Sequence, residues 1–227
     1  YKVAFDKSRG CIKSIWDKVN NRELVDSRAK DGFGSYVYER YDKKQSLQYL
    51  KEYIYDGYKN SHYRITGKSS YLDDRTKGVH ESARRMELYV EDHKSSIQAI
   101  LVPPASVGEE KHTAGLKVTL YEDMPYIDIK LSVVNKPATE EPEAGWIALP
   151  FRTVEPEYRI GRLGSVIDPA KDLIEGSQFN YIWSNSGLMI KDKEYSIGIC
   201  ALDAPAFQLG DLNFMHFADK YENPRSH

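Results

Sequence analysis

The sequence predicts a mostly β protein, a large antiparallel sandwich with one short helix near residues 44–55. Three observations carry that expectation. Apolar residues recur at every second position through the middle of the chain, as in Met86, Leu88 and Val90, in Ile97, Ala99 and Leu101, and in Leu116, Val118 and Leu120. That period buries one face of a strand and wets the other. Clusters such as Glu122-Asp123-Met124-Pro125 separate the runs at hairpin spacing. No alternation of strand and helix appears, so a parallel βαβ sheet is not expected.

Taken in order, the chain opens with a hairpin. Tyr1, Val3 and Phe5 alternate with polar or small residues, Asp6 to Gly10 turn the chain, and Cys11 to Trp16 return it. Asp17-Lys18 and Asn20-Asn21 end that strand, and Glu23-Leu24-Val25-Asp26 is a short apolar stop. Gly32-Phe33-Gly34 leads into a tyrosine-rich strand from Ser35 to Tyr41. Leu47, Leu50 and Ile54 then fall at i, i+3 and i+7, the spacing of one helical face, and Asp56-Gly57 ends the helix. Residues 56–78 are polar and read as a long loop, a length that suits packing on a partner or a functional role.

Beyond the central strands, Ile127, Ile129, Leu131 and Val133 continue the period of two, residues 137–142 form an acidic turn, and Trp146 to Phe151 reads as an apolar strand. Residues 161–176 are irregular, except that Asp168-Pro169 has the cap-then-proline form of a helix start. Three short strands follow at 179–183, 187–190 and 195–202. The sum is about eleven strands and one helix. Because Tyr1 already belongs to a strand pattern, residues 1–227 are expected to be a single β-sandwich domain excised from a longer multidomain protein.

Composition narrows the function classes. The 227 residues carry a net charge of −2 with no basic stripe, which gives nucleic-acid binding no electrostatic footing. No run approaches the 18 or so apolar residues of a membrane helix, so neither nucleic acid nor a membrane is expected as a partner. Hydrophobic residues make up 41%, enough for a core. Cys11 and Cys200 each sit in an apolar run, and buried free thiols are the default reading. A bridge between them is possible but not indicated.

The usual catalytic signatures are missing: no metalloprotease helix motif, no phosphate loop, no nucleophile elbow. The histidines are His62, His80, His93, His112, His216 and His227. Beside carboxylates, His80-Glu81 and His216 with Asp219 read first as ordinary hydrogen-bonding pairs, and no metal site is expected. Glycoside hydrolysis needs two carboxylates facing one another across a bond, but 34 acidic residues offer too many candidates. Asp168 and Asp203, each near a proline, read as turn or cap residues. Exposed Trp or Tyr rings would serve a sugar reader. Trp16, Trp146 and Trp183 lie in strand-like runs and read as core. Tyr36 and Tyr38 share one face of their strand, as either a packed stripe or an exposed platform.

An ordered set of motifs resembles a known family. Phe5-Asp6, Gly10, Ile12, Ser14-Ile15 and Asp17-Lys18, followed by Arg22-Glu23-Leu24-Val25-Asp26, are similar to the start of the C-terminal β-domain of glycoside hydrolase family 38, the α-mannosidases and their relatives. Gly34-Ser35-Tyr36 resembles that domain's small-small-Tyr strand. Pro142-Glu143-Ala144 through Ala148-Leu149-Pro150-Phe151, and Leu202-Asp203-Ala204-Pro205 with Gly210, resemble two later motifs in the same order. The resemblance implies a supersandwich of the galactose mutarotase-like type. It implies a non-catalytic domain that braces a catalytic barrel and lines part of a sugar site. Carbohydrate and the missing N-terminal catalytic domain are then the expected partners. Catalytic residues and zinc belong to that absent domain, so this fragment is expected to hold no catalytic residue, metal or cofactor. Tyr36 is the one position carried over, as a residue near the sugar. The helix and loop at 44–78 depart from the better-known mannosidases. An independent carbohydrate-binding module and a mutarotase-like sugar epimerase are the alternatives.

Overall fold

A computed structural model describes residues 1–45, 78–82, 84–102, 112–139, 143–174 and 181–210. The protein is mostly β, and every strand pairing among these residues is antiparallel. The described residues divide into two compact units, one running up to Arg152 and one from Thr153 onward.

In the first unit, β1 (Lys2–Asp6), β2 (Cys11–Asp17) and β3 (Arg22–Glu23) form a three-stranded sheet. The four-stranded sheet β6 (Glu87–His93), β7 (Ser96–Val102), β8 (Thr113–Tyr121) and β9 (Ile127–Val134) is a plain meander. The register sets Leu88 opposite Leu101, Leu101 opposite Leu116 and Val118 opposite Ile129, so the alternating apolar residues share one face. That face and the inner residues of β2 close one core. Ile12, Ile15, Val25, Phe33, Met86, Leu101, Leu116 and Val118 are its buried members. Phe33 meets Phe151 edge to face at 4.9 Å between ring centroids, near the favoured geometry for aromatic pairs. Burying side chains of this size contributes about 1.5–3 kcal/mol each. The alternation weakens at the sheet's margins, where Val90, Ile97 and Val133 stand exposed.

A third sheet orders β10 (Glu143–Ile147), β4 (Tyr36–Arg40) and β5 (Val79–Ser82), with β4 in the middle. Its apolar continuation differs from the expected strand at 146–151: pairing with β4 ends at Ile147, and Phe151 instead bridges Val25. After β4, residues 43–45 are helical and begin with a capping box. Gln45 N donates to Asp42 Oδ1 at 2.7 Å, and the Gln45 side chain accepts from Asp42 N at 2.9 Å. The rest of the expected helix at 44–55, and the loop at 56–77, lie outside the described residues.

The second unit contains the sheet β12 (Ser165–Ile167), β11 (Glu157–Arg162), β14 (Gly187–Lys191) and β15 (Ser196–Ile199). The ribbon β13 (Tyr181–Trp183) with β16 (Ala206–Gln208) also belongs to it. The stretch 161–176, expected to be irregular, begins inside the β11–β12 hairpin. Helix α1 (Pro169–Asp172) follows as expected, with Asp168 as its cap accepting from Ala170 N and Pro169 at its start. Arg159 and Lys171 both pair with the Asp168 carboxylate, at 2.9 and 3.2 Å.

Two core expectations are corrected here. Trp183 is 62% exposed, because Ile182 takes the buried side of β13 and parity turns Trp183 outward. Cys200 is exposed and Cys11 is buried, and both are free thiols. On β15, Ile197 and Ile199 lie toward the interior, so Ser196, Gly198 and Cys200 fall on the solvent side.

Candidate functional site

The sequence makes Tyr36 a site residue through a strand that must start sharply. Gly34 takes φ +76, the left-handed region, and its Cα lies against Leu116, where a β-carbon would come within 3.0 Å of Cδ2. Ser35 is buried and donates its hydroxyl to Gly32 O at 2.7 Å. The small-small-Tyr motif is thus a packing requirement that delivers Tyr36 onto β4.

Alternation on β4 then builds two unlike faces. Tyr36, Tyr38 and Arg40 take one face, and Val37 and Glu39 take the other. Antiparallel pairing adds Ile147, Gly145 and Glu143 of β10 to the Tyr face, with Glu81 and Val79 of β5. The opposite face gains Trp146, Ala144, His80 and Ser82.

On the Tyr face, Tyr38 donates its phenol hydrogen to Glu143 Oε2 at 2.8 Å. Lys136 Nζ lies 2.9 Å from Glu143 Oε1, 2.7 Å from Oε2 and 2.7 Å from Pro137 O. It also sits 5.5 Å from the centroid of the Tyr38 ring, within cation–π reach. Lys136 arrives there because Asn135, just past β9, takes φ 58 and turns the chain, a conformation asparagine tolerates better than most residues. His112 stands edge-on to both rings, with centroids 5.7 Å from Tyr36 and 5.0 Å from Tyr38. Gly145 clears room for Tyr36, since a β-carbon there would lie 2.9 Å from Cε2. Burial, and then the charge of Glu143, hold the Tyr36 phenol above its ordinary value. The Tyr38 phenol is pushed up to about 12, first by burial and then by its hydrogen bond to Glu143. Among the described residues, neither the Tyr36 hydroxyl nor a ring nitrogen of His112 holds a hydrogen bond, and both side chains are only half-buried.

The other face is a closed polar anchor. Glu39 is 4% exposed. Its Oε1 lies 2.9 Å from His80 Nδ1, and its Oε2 accepts from Tyr41 Oη and Trp146 Nε1, each at 2.9 Å. A carboxylate only accepts, so the imidazole carries a proton on Nδ1. Its Nε2 lies 3.4 Å from Asp31 Oδ2. A buried carboxylate is tolerated when each oxygen is hydrogen-bonded, and here three donors, none of them within β4 itself, converge on it.

Several expectations meet this arrangement. Tyr36 and Tyr38 share a face as read, and the face is half-buried. His80 forms a structural hydrogen bond, with Glu39 across the sheet and not with its neighbour Glu81. Trp146 is half-buried and points its indole N–H at Glu39. Asp203 is exposed in a bend. His216 and Asp219 lie outside the described residues. Among those that are described, no group of three or more His, Cys, Asp or Glu gathers as a metal site. Sequence reasoning missed Glu39, His112, Lys136 and Glu143. The acid-aromatic alternation of Tyr38-Glu39-Arg40-Tyr41 could have flagged Glu39, because Glu39 falls on the parity of the apolar Val37.

No protein-family model, curated protein sequence or solved structure matches the chain.

Proposed function

We propose that this chain is a carbohydrate-handling β-domain: the non-catalytic C-terminal β-domain of a glycoside hydrolase resembling the family-38 α-mannosidases, with a galactose mutarotase-like supersandwich fold. In this reading it braces a catalytic barrel that carries the nucleophile and zinc, and it lends the Tyr36 face to one wall of the sugar site. The observation that supports the reading is the pairing of Tyr36 with His112. Two ring systems stand against a polar pair, and among the described residues the Tyr36 hydroxyl and the His112 nitrogens hold no hydrogen bond. A pyranose has apolar C–H faces for the rings and hydroxyls for such groups.

A second reading, an independent carbohydrate-binding module, is favoured by the location of these residues. Tyr36, Tyr38, His112, Lys136 and Glu143 all belong to the first compact unit. Calorimetry of the chain with methyl α-mannopyranoside and with mannan separates the two. Submillimolar affinity favours the module. Weak binding by the chain, together with a loss of turnover when Tyr36→Ala is placed in the complete enzyme, favours the supporting wall. Unchanged kinetics in that variant removes Tyr36 from the site, and hydrolysis of aryl glycosides by the chain alone overturns the non-catalytic assignment.

A further inference from the structure

On the Tyr face the Lys136 ammonium is held by two hydrogen bonds and an ion pair with Glu143. Nζ reaches both oxygens of Glu143 and the carbonyl of Pro137 within 2.9 Å. The Glu143 carboxylate is satisfied in turn by Lys136 and by Tyr38. The remaining charged side chains assigned to this face by register are Arg40 and Glu81, which are opposite in sign and on adjacent strands. Arg40 is itself engaged. Two positive and two negative groups therefore stand on this face, and among the described residues the polar atoms without a hydrogen bond are the Tyr36 hydroxyl and the His112 ring nitrogens.

We propose that this face selects an uncharged, hydroxyl-bearing ring over an anionic one, with Glu143 as the specificity-determining residue. The inference rests on the sugar-wall reading and names its ligand class. A carboxylate or phosphate brought here loses water, meets a Lys136 ammonium already paired with Glu143, and approaches Glu143 as a like charge. A neutral ring meets no such penalty. It stacks on Tyr36 and exchanges hydrogen bonds with Tyr36 Oη and His112. Lys136 keeps the carboxylate fixed, and Glu143 keeps the ammonium from recruiting anions. Removing the carboxylate should turn a neutral-selective face into an anion-binding one.

The test is competitive calorimetry of the full 227-residue chain with methyl α-mannopyranoside and with its C6 carboxylate analogue, the methyl mannuronoside. The wild type is expected to favour the neutral ring by about tenfold or more, the scale of one charge-assisted hydrogen bond. Glu143→Gln frees the Lys136 ammonium and is expected to reverse the preference, tightening the uronoside by about tenfold and changing the neutral ring by less than about threefold. Lys136→Met leaves Glu143 bare and is expected to weaken the uronoside further. That variant keeps the test open if Glu143→Gln does not fold by circular dichroism. Equal or tighter binding of the uronoside by the wild type overturns the inference and leaves the sugar wall standing. So does a folded Glu143→Gln variant with unchanged preference. Failure of both ligands to bind the wild type overturns this inference and, with it, the independent-module reading.

Discussion

The ring of Tyr36 rests on the backbone of Gly145: a β-carbon at that position would lie 2.9 Å from Cε2 and 3.0 Å from the hydroxyl. Contact so close to a stiff ring cannot be absorbed by a small adjustment. Gly145→Ala is therefore expected to swing Tyr36 off the sheet. Mannoside affinity should fall as far as in Tyr36→Ala. Stability should change by only about 1 kcal/mol, because a β residue replaces glycine in a strand. Calorimetry and denaturant melts on the two variants check both parts. Retained affinity in Gly145→Ala would mean that the position of Tyr36 does not matter.

Glu39 holds the reverse side of the same sheet. Replacing it with Ala leaves the Trp146 indole, the Tyr41 hydroxyl and His80 without their shared acceptor. Removing one partner from a buried charged network costs about 3–5 kcal/mol, and Glu39→Gln, which keeps some acceptor capacity, should cost about 1–3 kcal/mol. Urea unfolding monitored by tryptophan fluorescence measures the difference. A loss under 1 kcal/mol for Glu39→Ala would show that water replaces the carboxylate without penalty.

A different source of strain sits in the β11–β12 hairpin. Arg162 pairs with Ser165 across a two-residue turn made by Leu163 at φ 51 and Gly164 at φ 78. Such turns want asparagine or glycine at the first position, and a branched apolar residue there is strained by about 1–2 kcal/mol. Leu163 is also among the most exposed apolar residues. Leu163→Asn should therefore raise stability by about 0.5–1.5 kcal/mol. A lower melting temperature would show that Leu163 gains something from packing.

Much of the fold could be read from the sequence, because period-two alternation is a local signal. The β6 to β9 meander follows it in register, from Leu88 through Leu101 and Leu116 to Leu131, and loses it in burial only at the sheet's margins. Strands that are short or polar escaped it. Val79–Ser82 and Ala206–Gln208 carry too few apolar residues to show a period, and Arg159 interrupts β11. Trp183 and Cys200 mark a different limit. Both lie in apolar runs, yet each falls on the outward parity of its strand, and only the pairing register reveals that. The candidate site was half legible. Tyr36 and Tyr38 show their shared face within one strand, but Glu143 meets Tyr38 from 105 residues away. His112 and Lys136 likewise come from separate strand ends. No local pattern links positions so far apart.

The two thiols should differ in reactivity as they differ in burial. The thiolate is the attacking form, and burial pushes the Cys11 thiol up, away from ionisation. Cys11 is packed against Gly32 within the core, while Cys200 is open to solvent. A disulfide-exchange reagent at neutral pH should titrate one thiol in the native protein within minutes and the second only after denaturant is added. Cys200→Ser should abolish the fast phase. Two fast equivalents in the folded wild type would contradict the burial of Cys11.

The Tyr38–Glu143 hydrogen bond predicts an alkaline transition. Burial and that bond lift the Tyr38 phenol to about 12, against an ordinary value of about 10. The folded value lies above the unfolded one, so the neutral phenol is the form the fold favours. Its contribution to stability is fully present below about pH 10 and is lost as pH rises toward 12. Ionisation there removes the donor from Glu143 and sets two negative charges side by side. The phenolate absorbance of wild type minus that of Tyr38→Phe should therefore rise with a midpoint near 12. In Glu143→Gln the midpoint should move down toward 10 without reaching it, because burial persists. A native midpoint near 10 in the wild-type difference spectrum would mean that Tyr38 does not donate to Glu143 in solution.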